Sequence, residues 1–171
     1  ATEALKRAIA LDPKAPGAQL MFAQLQADQG NLDEAVKAVK ADVAADPTNK
    51  ERDAMFLLGL GNTAFKAGSA SKRAEDFKKA IPLLQASEEI NPSANAKFLI
   101  AAAAYSILGP STQDGKNWKC ADARAAEVNL TLITTNMPGG GSVSPDFAKQ
   151  VLGNVPQMQQ YIDAQNKRLC K

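Results

Sequence analysis

Apolar residues recur along the chain at helical spacing, in successive runs that each close on an acidic or amide residue followed by proline. The run Ala8, Ile9, Ala10, Leu11 closes at Asp12-Pro13. Asp42, Val43, Ala44, Ala45 closes at Asp46-Pro47, and Ser87, Glu88, Glu89, Ile90 at Asn91-Pro92. Proline disfavours helical geometry in the residue before it, so these dipeptides predict helix ends. Pro13 and Pro47 stand 34 residues apart, and Pro47 and Pro92 stand 45 apart. The pattern predicts helix pairs repeated at a fixed period, with roughly eleven extra residues in the second unit.

Inside the first full unit, Gly30, Asn31, Leu32, Asp33, Glu34, Ala35 read as a tight turn followed by acidic residues in a first helical turn. The next unit places Leu60, Gly61, Asn62 and Phe65 on a first helix closed by Gly68, and Phe77, Ala80 and Leu84 on a second. The third carries Phe98, Ala101, Ala102, Tyr105 and Gly109. This set resembles the tetratricopeptide repeat, with Phe in place of Trp and Ala in place of Leu and Gly. The resemblance covers residues 1–138 and treats Ala1–Pro13 as a second helix without its first. An expanded loop from Pro110 to Asn117 is expected before the last repeat helix, which carries Trp118 and Ala121 and exits at Asn136, Met137, Pro138. It implies an all-α solenoid of antiparallel helix pairs. Asp42 and Ser87 depart from the family by standing where a small apolar residue is usual, and no repeat opens with Trp.

Beyond Pro138, residues 139–144 read as a Gly-rich linker, and Ser144-Pro145 reads as a helix start. Residues 145–171 are expected to form one short and one longer helix, because Gly153, Asn154 and Pro156 interrupt the apolar spacing. In arrays of this kind such helices cover the last exposed apolar face. The competing reading lays the tail, or a partner's segment, in the concave groove. By the family's geometry that groove is lined by Leu20, Gln24, Met55, Leu58, Asn62, Phe65, Leu99, Ala103 and Ile107. Family members that clasp a chaperone's carboxylate tail use Lys, Arg and Asn there. Here only Asn62 and Lys66 would serve, so a carboxylate clamp is not expected.

Composition alters this picture little. Lysine and arginine total 20 against 18 aspartate and glutamate, so no strong field gathers nucleic acid or an anionic membrane. No run is long and apolar enough to span a bilayer. The chain begins within an apparent helix, so a longer parent protein is expected, and any export signal would lie upstream.

Chemistry is restricted more sharply. The sequence holds no histidine, which removes Ser-His-Asp and Cys-His nucleophile pairs and histidine-bearing metal sites. Asp33-Glu34 and Glu88-Glu89 are adjacent and diverge around a helix, unlike paired catalytic carboxylates. The Gly139–Gly141 run lacks the Gly-Lys-Ser/Thr and the preceding strand of a phosphate loop. Asn129-Leu130-Thr131 is a sequon inside an expected helix. Trp118 with Lys116 and Lys119 forms an aromatic and cationic patch or, as its position favours, a packing aromatic. No catalytic residue, metal or cofactor is expected.

Cys120 and Cys170 are the two cysteines. A bond between them would staple the tail to the last repeat and suit an extracytoplasmic compartment, whereas two free thiols would suit the cytosol. The even count and the terminal position favour the bond. The expectation is a non-enzymatic scaffold that binds a protein segment in an apolar groove. The alternative is self-assembly through an open N-terminal repeat face.

Overall fold

The computed structural model describes residues 2–12, 14–15, 17–113 and 117–171, as backbone alone at 2 and 110–113. The expected helix end at Pro13, and Lys116 of the aromatic and cationic patch, lie outside the described residues. Eight helices follow in order, and no strand occurs among the described residues. They are α1 (Thr2–Leu11), α2 (Ala18–Asp28), α3 (Leu32–Ala45), α4 (Lys50–Ser71), α5 (Ala74–Ile90), α6 (Ala94–Gln113), α7 (Cys120–Gly140) and α8 (Pro145–Leu169), with a 3-10 turn, Pro47–Asn49, before α4. Neighbouring helices pair as hairpins α2/α3, α4/α5 and α6/α7, with α1 against α2 and α8 against α7 and α6. This is a tetratricopeptide-like helical array.

The punctuation works as its chemistry predicts at Pro47 and Pro92. α3 stops at Ala45 and α5 at Ile90, one residue before Asp46 and Asn91. Asp46 then turns the chain, its carboxylate accepting from the Thr48 amide at 3.0 Å and the Thr48 hydroxyl at 2.7 Å. Gly30 makes the α2–α3 turn with φ +80°, a conformation only glycine adopts without strain.

Elsewhere helices run past residues expected to end them. The extra length of the second unit is helix rather than loop, since α4 has 22 residues against 11 in α2. Gly68 does not close α4. It lies in the last turn, where a Cβ would stand 2.8 Å from the Phe77 ring, so it admits close helix packing instead. α6 continues to Gln113, well into the expected loop. α7 passes through Pro138 and Gly139 to Gly140, leaving 141–144 as the connection. The tail is one helix, α8, carrying Gly153, Asn154 and Pro156 within it.

Packing explains these continuations. Met137 and Gly140 on α7, and Val151 and Ile162 on α8, are buried on either side of the two prolines. Each fully buried aliphatic side chain contributes about 1.5–3 kcal/mol, comparable to the roughly 3 kcal/mol an internal proline costs. Leu130, Ile133, Met137, Val151 and Ile162 join α6, α7 and α8 in one core. Val39, Leu57 and Leu83 join the first two hairpins, and Leu84 with Ile100 joins the second and third.

The two polar departures from the repeat pattern are both buried. Ser87 donates its hydroxyl to the Ala54 carbonyl of α4. Asp42 is bound by the Arg52 guanidinium and accepts from the Asn49 amide at 3.3 Å.

Candidate functional site

On α4, the residues at positions 55, 58, 59 and 62 share one face by the 3.6-residue period, and on α6 those at 95, 98 and 99 do the same. The two faces meet with Val143 of the α7–α8 connection to form a cleft of about 450 Å³. Met55, Leu58, Phe98, Leu99 and Val143 supply its apolar surface, and Asn62 and Asn95 its polar groups. Among the described residues, no charged side chain lines it. Met55 is 64 % exposed and Val143 43 %.

Leu58 and Leu99 serve two purposes. They are half-buried, with one side against Leu84 and Ile100 and the other facing the cleft. Gly59 has nothing within 4 Å of where a Cβ would stand, which leaves the α4 side of the cleft open.

Of the nine groove residues expected from sequence, the structure brings Met55, Leu58, Asn62 and Leu99 together. Phe65 packs edge-on against Phe77 with ring centroids 5.5 Å apart. Ala103 is fully buried, within four consecutive alanines of α6 that are all in the core. Ile107 faces a separate cleft beside Lys72 and Trp118. Leu20 packs in the core of the first hairpins, and exposed Gln24 donates to Asp28 at 2.7 Å. Neither reaches the cleft between α4 and α6. Asn95, Phe98 and Val143 were missed. Phe98 carries a signal in its repeat position, whereas Val143 reaches the cleft only because α8 folds back.

The end of the array is closed by α8. Phe147 contacts Phe98 and Tyr105 edge-on, at 5.8 and 5.9 Å between centroids, and Asn154 donates to the Tyr105 hydroxyl at 3.1 Å. Trp118 packs on Tyr161 at 5.6 Å, which makes it a packing aromatic rather than a free contact. A disulfide joins Cys120 at the start of α7 to Cys170 just beyond α8. Asn129 of the sequon lies within α7 and donates to the Ala125 carbonyl at 2.9 Å.

Among the described residues no cluster of acidic, cysteine or histidine side chains could hold a metal, and no helix is long and apolar enough to cross a membrane. Residues 1–58 match the tetratricopeptide repeat family. That segment resembles tetratricopeptide repeat sequence. It takes in α1, the α2/α3 hairpin and the beginning of α4, and the later hairpins continue the same helical arrangement with longer helices. No curated protein matches the chain. Tetratricopeptide repeats in general mediate contacts between proteins and serve as scaffolds rather than catalysts.

Proposed function

We propose that the cleft between α4 and α6 holds an apolar, uncharged segment of a protein partner, with Met55, Leu58, Leu99 and Val143 in contact and Asn62 and Asn95 meeting its polar groups. The observation that carries this reading is the exposure of Met55 and Val143 beside a lining that holds no charge among the described residues. Exposed apolar groups in a concavity gain most when another surface removes them from water. Asn62 and Asn95 line the cleft, where their carboxamides can donate to and accept from a partner's backbone.

The test is selection of a random peptide library on the immobilised protein, followed by titration of the selected peptides against Met55→Glu and Val143→Glu. Neither residue belongs to a buried core, so both variants keep the fold. Binding weakened at least tenfold by each supports the cleft. Peptides that bind wild type and variants equally would assign recognition to another surface.

A second reading is supported by Leu11, 87 % exposed on α1, and Met21, 63 % exposed on α2. These place apolar surface at the N-terminal end, where a second copy could stack. Sedimentation velocity over a wide concentration range separates the two, since stacking increases mass with concentration and peptide capture by a monomer does not. The Cys120–Cys170 bond supports residence in an oxidising compartment under either reading.

A further inference from the structure

The joint between the first two hairpins contains an arrangement the groove does not use. Asp42 of α3 and Asp53 of α4 are buried, and Arg52 of α4 binds both. Arg52 Nε donates to Asp53 Oδ1 at 2.8 Å. The other oxygen, Asp53 Oδ2, is buried without a hydrogen-bond partner. The Asp42 carboxylate, bound to the same guanidinium, favours a proton on Asp53. From the 3-10 turn, neutral Asn49 also donates to Asp42. Asp46 faces Arg52 from the connection, itself held charged by its bonds to Thr48, with Lys14 beyond it. From α5, Ser87 is neutral and committed to Ala54.

We propose that Asp42, Arg52 and Asp53 form a proton-operated latch at the α3–α4 joint, closed when Asp53 holds a proton and loosened when it is ionised. With one guanidinium facing two carboxylates, full ionisation leaves a net negative charge inside the protein, which is costly. A proton from solvent bound at the unpartnered Asp53 Oδ2 neutralises that charge and leaves Arg52 as the counterion of Asp42, tying α4 to α3 across the joint independently of what the cleft binds.

Burial raises Asp53, the Arg52 hydrogen bond opposes that rise, and Asp42 adds to it, leaving Asp53 at about 6 against an ordinary 3.8. A folded-state value above the unfolded one means that the proton stabilises the native joint. That stabilisation is complete below about 3.8, persists toward 6 and is lost as pH rises through 6.

Thermal unfolding between about pH 5 and pH 8 tests the latch in wild type, Asp53→Asn and Asp42→Asn. Wild type is expected to lose melting temperature with an inflection near 6. Asp53→Asn, a neutral mimic of the closed state, is expected to lose that inflection, and Asp42→Asn to move it to lower pH. Hydrogen exchange, corrected for intrinsic rates, should show α3 and the first turns of α4 slowing about tenfold or more on acidification while α7 and α8 do not change. An Asp53→Asn profile identical to wild type overturns the proposal, as does an exchange response spread evenly over the chain. If Asp53→Asn fails to fold, carbon-13 titration of the wild-type Asp53 carboxyl decides, and a value in the ordinary carboxylate range sinks the latch.

Discussion

The Ser87 hydroxyl of α5 lies 2.7 Å from the Ala54 carbonyl oxygen of α4, and both residues are buried. The bond crosses between two helices at a position where the repeat ordinarily has a small apolar side chain. Ser87→Ala leaves Ala54 inside its own helix and removes one buried hydrogen bond, so a loss of about 0.5–1.5 kcal/mol is expected from chemical denaturation. Ser87→Val should cost more, because the same buried space must accept two methyl groups and retains no donor.

Three glycines should respond to alanine in a definite order. A Cβ at Gly140 would stand 2.3 Å from the backbone nitrogen of Phe98, an atom of α6 that cannot rotate away. At Gly61 the obstacle is the Leu84 side chain at 2.6 Å, which can shift in part. At Gly59 nothing lies within 4 Å. Thermal melting should therefore place Gly140→Ala lowest and Gly61→Ala between it and wild type. Gly59→Ala should gain up to about 1 kcal/mol from helix propensity.

The cysteine bond spans 50 residues. Closing a loop of that length restricts the unfolded chain, so reduction, or the paired substitution of Cys120 and Cys170 by alanine, should remove roughly 2–4 kcal/mol. Melting with and without a reductant gives the magnitude. Hydrogen exchange should show the largest change near the end of α8, where Trp118 meets Tyr161.

The repeats were legible in the sequence because Asp46-Pro47 and Asn91-Pro92 coincide with places where the chain must turn between hairpins. The same residue type gave a false stop at Pro156, and α7 runs two residues past Pro138. Nothing local distinguishes these from Pro47. What differs is burial on both sides, by Met137 and Gly140 in one case and Val151 and Ile162 in the other, and that depends on partners distant in sequence.

The groove was half legible for a related reason. The family period identifies which residues of α4 share a face, and Met55, Leu58 and Asn62 line the cleft together. On α6 the period fails as a guide, because Ala101, Ala102, Ala103 and Ala104 are all enclosed and no side of that turn is free. Helix enclosure, set by α5, α7 and α8 together, is not encoded in a single helix's pattern.

The covalent closure between Cys120 and Cys170 also divides the chain mechanically. Under tension applied at its two ends, α1 to α6 can unravel residue by residue, but α7 and α8 lie within a closed loop that carries the load through sulfur. A fully extended molecule would be shorter by the 50-residue separation, or about 170 Å of contour, until the bond is reduced. Force would empty the cleft between α4 and α6 while the hairpin end behind it stayed shielded.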